Sequence, residues 1–378
     1  MNKHILINAS NLHAGGGVQV ATSIVDELSR RDGQQNISLV LSNPVMAACK
    51  KIDMNLRGFR HVETLDVRGF ESRNATLERL FGEADVVFTV FGPLYTMTRP
   101  KKSVVGFAQP WIIYPGSDAH RKLPFAERMK VRARYFLQKL AFRRNSDLLV
   151  VEADHVSKRL KAILPSTPSV VVPNALNAVF RRAIEGLPDE TGAKSELNKR
   201  AGETKAITLG YVGRAYSHKN VEVLAGVSKA LRGRYGIGAT IKVTLNDAEW
   251  AAQSDEFRAE IEQVGSMSLD QLVEFYRSLD GVIFPSLLEC FSATPLEVMA
   301  MGIPLYASDR PFVRDFSADY PFYFDPLDPD DIADAIARSL ELPAAELQAR
   351  LQAARSHVFN LPTATDRARK TVELLHSL

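Results

Sequence analysis

Four charged side chains stand where a polyanion bearing hydroxyl-rich groups could be gripped. Arg214 follows Gly213 at the end of an apolar run, Ile207–Val212, and Lys219 comes five residues later at the start of an amphipathic stretch. Arginine offers a bidentate fork and lysine a point charge, so the pair suits a diphosphate. A solvated basic turn is the alternative, and local sequence leaves it open. Glu289 and Glu297 stand eight residues apart in SLLECFSATPLEVMAMG, Ser286–Gly302. A carboxylate accepts two hydrogen bonds at once, which suits the paired hydroxyls of a ribose or a hexose. Glu297 also fits a plainer role: Thr294-Pro295-Leu296-Glu297 has the spacing of a capping box, with Thr294 as N-cap and Glu297 at N3. Backbone N–H groups of Cys290–Thr294, at the helix start, would suit a phosphate oxygen.

The elements that must position these residues are short β-branched runs alternating with amphipathic segments. Strands are expected at His4–Ile7, Ile37–Leu41, Asp85–Val90, Ser103–Phe107, Asp147–Val151 and Ser169–Val172, then at Ile207–Val212, Thr240–Leu245, Gly281–Phe284 and Pro304–Ala307. Helices are expected at Val18–Ser29, Arg128–Arg143, Asn220–Leu231, Leu269–Ser278 and Pro329–Leu340. Such alternation predicts an α/β fold with parallel sheets covered on both faces. The pattern pauses at Arg182–Lys205, read as the linker between two Rossmann-like domains, 1–181 and 206–358. Ligands of such sheets bind beyond the carboxyl ends of the strands. The first of these loops, NASNLHAGGG, ends in Gly15, Gly16 and Gly17 ahead of a helix, where free N–H groups would face an anion or where the chain simply turns. Neither GxGxxG nor GxxxxGK[ST] is matched, which argues against a dehydrogenase or a P-loop enzyme.

Composition sets the remaining bounds. A chain of 378 residues, 46% hydrophobic and with a net charge of +3, is an ordinary globular protein with no general affinity for nucleic acid. Cys49 and Cys290 form no CxxC or Cys/His cluster, so neither a disulfide framework nor a zinc site is expected and a reducing, cytoplasmic setting fits. The N-terminus lacks the apolar region of a signal peptide, and no run is long and apolar enough to span a membrane. Asp328-Pro329-Asp330 matches a DxD metal motif, but acidic residues directly before a helix serve as cap and dipole partners. His13 and His218 lie in the two key loops and are read as exposed. Trp111 and Tyr114 are read as core packing, with an acceptor groove as the alternative. Arg121–Arg144 carries nine basic residues and one acidic residue. Arg128, Arg132, Lys139 and Arg143 share one stripe, beside an apolar stripe of Met129, Phe136 and Leu140. Either the apolar stripe packs on the protein, or the face docks on anionic lipid at the inner leaflet; nucleic-acid binding comes third, because only Tyr135 and Phe136 interleave the charges.

Taken together, Gly-Arg…Lys-Asn, Pro-Ser-x-x-Glu, the E-x7-E spacing and Ala-Met-Gly-x-Pro resemble the family-4-type retaining glycosyltransferases of the GT-B fold. VVPNALN (Val171–Asn177), YFDPLDPDDIADAI (Tyr323–Ile336) and AGGGVQVA (Ala14–Ala21) resemble further family segments. The resemblance implies two Rossmann-like domains facing across a cleft, with residues 359–378 returning to the first. It implies transfer of a hexose from a nucleotide-diphosphate sugar to a hydroxyl acceptor, a surface polysaccharide or lipid-linked glycan, without a metal or other cofactor. Arg214 and Lys219 would hold the donor diphosphate, Glu289 would face the sugar and Glu297 the ribose. Gly16, Gly17, Gly213, Phe291, Ser292, Ala293 and Thr294 would approach the donor. Two positions depart from the family pattern. Gln109 stands near where a histidine is usual, with His120 further on, and Glu152 replaces a common serine. An epimerase, an inverting transferase and a non-catalytic nucleotide-sugar-binding subunit are the alternatives.

Overall fold

The computed structural model describes residues 3–69, 74–185 and 206–378. The chain divides into two compact units. The first comprises residues up to Pro115, Phe125–Ala175 and Pro362–Leu378; the second comprises Gly116–Pro124 and Leu176–Leu361. Each is built on a wholly parallel sheet, so both are Rossmann-like α/β units.

In the first unit the strands are β1 (Ile5–Ala9), β2 (Ile37–Leu41), β3 (His61–Thr64), β4 (Val86–Thr89), β5 (Lys102–Gly106), β6 (Leu148–Val151) and β7 (Ser169–Val171). Their order is β3-β2-β1-β4-β5-β6-β7. β1 and β2 are buried along their whole length and pair in register from Ile5↔Ile37 to Ala9↔Leu41. That burial is why they read as unbroken apolar runs. The core beneath them takes Ile24 and Leu28 from the Gly16–Ser29 helix and Val372 and Leu375 from the last helix, Ala364–Ser377. In the second unit the strands are β8 (Ala206–Tyr211), β9 (Gly238–Val243), β10 (Ile261–Gln263), β11 (Gly281–Phe284), β12 (Leu305–Ser308) and β13 (Phe322–Phe324), in the order β10-β9-β8-β11-β12-β13. Strand order reverses between β1 and β4 in one sheet and between β8 and β11 in the other. The carboxyl ends at these two switch points are where an open α/β sheet offers a crevice.

Several details differ from the sequence reading. β3, β10 and β13 were not expected: HVET, IEQ and FYF are three- or four-residue edge strands without a β-branched apolar run. Arg182–Glu185 end a helix, Ala178–Glu185, rather than begin a linker; Arg277 donates to the Ala183 carbonyl at 3.1 Å to hold it. The rest of the expected linker, 186–205, lies outside the described residues. The basic stretch is also not one element. Arg121 and Lys122 belong to a short helix, Asp118–Lys122, in the second unit, whereas Phe125–Asn145 is a separate 21-residue helix of the first.

The last helix is fastened to the first unit by a polar network. Arg367 is buried, donates to Ser23 Oγ at 2.6 Å and bonds to Asn174 Oδ1; Asn174 in turn donates to Glu152 Oε1 at 2.6 Å. Although Glu152 as a residue is only half-buried, burial of its carboxyl pushes it up to about 7, with Arg367 and Asn174 pulling the other way. Because the folded value lies above the unfolded one, Glu152 stays neutral in the folded chain below pH 7 and is charged above it. Arg367→Met is therefore expected to lower the melting temperature more at pH 8 than at pH 5.5, since only at the higher pH does it strand a buried charge. Calorimetric melts of both proteins at the two pH values check this; an equal loss at both would remove the charge from the explanation.

Candidate functional site

The loops after β8 and β11 emerge side by side, because these strands are paired neighbours (Gly281↔Leu209, Val282↔Gly210). The first loop carries Gly213, Arg214 and a single turn, Ser217–Lys219. Asn220 closes that turn in a left-handed conformation (φ 57°), which asparagine tolerates better than most residues. It is fully buried and donates to the Pro326 carbonyl at 2.7 Å, so the turn is anchored to the DPLDPDD loop. Leu287 N–H donates to the His218 carbonyl at 2.7 Å and ties the two loops together.

This framework brings Lys219 and Glu289 into contact. Lys219 Nζ lies 2.5 Å from Glu289 Oε1, with the two side chains 17% and 9% exposed. Arg214 is held in a different way. Its Nε donates to Glu249 Oε1 at 2.6 Å, and the same oxygen accepts the Ala215 N–H at 3.2 Å. Burial works against charge on Glu249, yet the bonds from Arg214, Asn246 and Ala215 hold its carboxyl below the usual range. The Arg214 carbonyl accepts the Tyr211 hydroxyl at 2.9 Å. That hydroxyl is raised well above its ordinary value, first by burial and then by the charges of Glu289, Glu222 and Glu249. Gly213 N–H is spent on Thr244 Oγ1 at 3.1 Å. Burial lowers His218, whose ring stacks on Tyr216.

The helix after β11 begins earlier than the capping-box reading requires. It spans Ala293–Met301 with Ser292 as N-cap and no side-chain cap bond, and Gly302 ends it at φ 70°. Thr294 and Glu297 therefore stand at N2 and N5, and no capping box forms. Both side chains turn instead toward Tyr276: its hydroxyl donates to Glu297 Oε2 at 2.8 Å and also bonds Thr294. Burial pushes the Glu297 carboxyl up to about 7, with the Tyr276 bond acting in the opposite direction. The N–H groups of Ala293 and Thr294 belong to the first turn, where no intrahelical acceptor exists. Phe291 packs its ring 5.0 Å from that of Phe316.

The other sequence candidates are more dispersed. In the first unit Gly15 is the N-cap at φ 68°, Gly16 faces open space, and a Cβ on Gly17 would meet Leu12 at 3.2 Å. Gln109 caps a short helix after β5, whereas His120 is buried in the second unit beside Ser117. His13 bonds the Val67 carbonyl at 2.9 Å rather than standing exposed. Trp111 stacks on Tyr135 and Tyr114 lies under Arg159, so packing occupies both rings. Asp328 caps the Pro329–Glu341 helix, accepting the Asp330 N–H at 2.9 Å. Among the described residues, no cluster of three or more His, Cys, Asp or Glu is placed to hold a metal ion. Glu249, Thr244 and Tyr276 were missed. Asn246-x-x-Glu249 is a readable capping box, which the structure contains, but nothing local marks Tyr276 as the partner of Glu297.

At the β1/β4 switch point the first unit has a cavity of about 520 Å³, lined by Asn8, Asn11, Thr89, Tyr95, Arg134 and Gln138 among others. Asn11 Oδ1 and Gln138 Oε1 are buried there without a hydrogen-bond donor among the described residues.

Two consequences can be measured. Lys219→Ala leaves Glu289 buried without its cation, so a loss of about 2–4 kcal/mol is expected at pH 8, where an exposed loop lysine would have cost little. Glu289→Gln on the same background is expected to restore most of it; additive losses in the double-mutant cycle would show that the pair does not interact. Glu297 has a folded value above its unfolded one, so its ionisation progressively costs stability as pH rises from about 4.5 to about 7. The melting temperature of Glu297→Gln relative to the parent is therefore expected to rise by a few degrees between pH 5 and pH 8. A constant difference would mean that Glu297 titrates normally.

Residues 194–357 match the family model described as glycosyl transferases group 1. A comparison with curated proteins finds no match. Solved structures resemble the whole chain. A glycosyltransferase from Rickettsia africae ESF-5 is 16% identical, with 100% of this chain and 99% of that one covered and a TM-score of 0.67. Anabaena HepE, solved with UDP and glucose, is 14% identical over 100% of both chains, with a TM-score of 0.68. WaaG, a glycosyltransferase involved in lipopolysaccharide biosynthesis, is 14% identical over 98% and 99%, with a TM-score of 0.68. The chain therefore has the GT-B glycosyltransferase fold, and the segment carrying Arg214, Lys219, Glu289 and Glu297 is the part that matches the group 1 glycosyl transferases.

Proposed function

We propose that this protein is a retaining glycosyltransferase that moves a hexose from a nucleotide-diphosphate sugar to a hydroxyl acceptor, a surface polysaccharide or lipid-linked glycan, at the cytoplasmic face of a membrane. The observation that carries the reading is the Lys219–Glu289 contact at the β8/β11 switch point, beside the N-terminus of the Ala293–Met301 helix. In the transfer, the bond between the sugar anomeric carbon and the diphosphate oxygen breaks, and the electron pair leaves with the nucleoside diphosphate. The acceptor hydroxyl bonds to the same carbon and passes its proton to the departing diphosphate oxygen. Charge therefore grows on the leaving phosphate. Lys219 and Arg214 are cations fixed by Glu289 and Glu249, so they are oriented before that charge develops, which is the condition for electrostatic stabilisation. The first-turn N–H groups of Ala293 and Thr294 add donors without needing a metal ion. Glu297, once ionised, accepts the two ribose hydroxyls, and Glu289 turns its second oxygen to the sugar. The amide oxygens of Asn11 and Gln138 in the first unit, which find no donor among the described residues, call for hydrogen-bond donors, which supports a hydroxyl-bearing acceptor.

A thermal-shift screen of nucleotide sugars identifies the donor, since a tight ligand raises the melting temperature by mass action. With that donor, Lys219→Ala is expected to lower turnover by about a hundredfold or more, in keeping with removal of a fixed charge from the reacting group. NMR of the product is expected to show the donor's anomeric configuration. An inverted linkage would overturn the retaining assignment, and donor binding without release of nucleoside diphosphate to any acceptor would overturn the transferase reading.

A further inference from the structure

We infer that the Phe125–Asn145 helix docks the first unit onto an anionic lipid bilayer, inserting an apolar stripe that the fold leaves facing outward. Of its 21 residues only Gln138, Phe142 and Asn145 are buried, and these lie on one side. Phe125, Met129, Phe136 and Leu140 are 71%, 47%, 59% and 43% exposed. At about 100° per residue they fall within an arc of roughly 60° on the opposite side of the helix. Of the alternatives for this stripe, packing on the protein is not what the structure holds: the helix shows the protein a small, partly polar face and shows solvent its aromatic one. Contiguous exposed apolar surface of this kind marks an interaction site.

The charges select the occupant. Arg128, Arg132 and Lys139 flank the stripe on one side and Lys130 and Arg144 on the other, with Arg134 and Arg143 also on the helix. The sole acidic residue, Glu127, lies on the far side of the wheel. Aromatic and aliphatic side chains bordered on both sides by lysine and arginine match the acyl boundary and phosphate layer of an anionic leaflet. Basic side chains there extend along the helix and keep their heads in the headgroup layer. A second copy of the chain would instead bring an identical set of seven cations against this face. The same helix supplies Arg134, Leu137 and Gln138, from faces other than the stripe, to the wall of the cavity in the first unit, so the stripe can dock without filling that cavity.

The test is co-sedimentation of the full chain with vesicles, without donor or acceptor, so that its outcome is independent of the transferase reading. Binding is expected to vesicles of equal parts phosphatidylglycerol and phosphatidylcholine, to be weak with phosphatidylcholine alone and to fall with added salt. Phe125→Ser with Phe136→Ser is expected to reduce the partition coefficient by about tenfold or more with an unchanged melting temperature, because both rings are already exposed. Lys130→Gln with Arg132→Gln is expected to weaken binding to the anionic vesicles only. Failure of the parent protein to bind anionic vesicles at low salt would overturn the proposal. So would undiminished binding by the folded serine variant, or a dimer in solution that the serine variant abolishes.

Discussion

The contact between Lys219 and Glu289 is the constraint around which the second unit's site is arranged. It joins the loop after β8 to the loop after β11, and both partners are largely withdrawn from water. A buried ion pair of this kind costs desolvation of both groups and returns it only when the geometry is good. The surrounding bonds hold the two loops that carry it: Asn220 anchors its turn to Pro326, and Leu287 N–H fastens the β11 loop to His218. The chain has invested order in a cluster of charges that a stable core would not need. That is the pattern of a site built for a charged ligand, and the switch point of a parallel sheet is where such a site is expected.

The two cations are held with different stringency. Lys219 is enclosed with its carboxylate, whereas Arg214 is half-exposed and steered from one side by Glu249, which also grips the backbone of its loop. In the proposed reaction, an arriving phosphate would meet one cation whose position is set by burial and one whose fork is aimed but still open to solvent. Glu297 adds a third kind of control. Its carboxyl is raised by burial, so in the proposed reading its readiness to accept two hydroxyls would depend on pH near neutrality. The first unit contributes a different chemistry at its own switch point, amide oxygens that lack donors among the described residues.

Much of the fold was legible because central strands of parallel sheets are buried on both faces, as in ILINA of β1 and GVIF of β11. The edges were not: HVET and IEQ owe their pairing to a neighbouring strand rather than to their own composition. The motif residues Arg214, Lys219, Glu289 and Glu297 were legible as charged groups at strand ends. Their partners were less so. Glu249 and Tyr276 reach them from elements 35 and 21 residues away in sequence, a separation that local spacing does not encode. The capping-box reading of Thr294 failed for the same reason, since Tyr276 competes for both side chains. The Phe125–Asn145 helix shows a further limit: periodicity tells which residues share a face but not whether that face meets protein or solvent.

The central claim, that Lys219 belongs to a diphosphate site, is tested most directly by titration calorimetry of nucleoside diphosphates against the parent protein and Lys219→Met, both confirmed folded. The account predicts that the best-binding nucleoside diphosphate loses about tenfold or more in affinity in the variant, as expected when a fixed charge is removed from a phosphate contact. Equal affinity in the two proteins would contradict it.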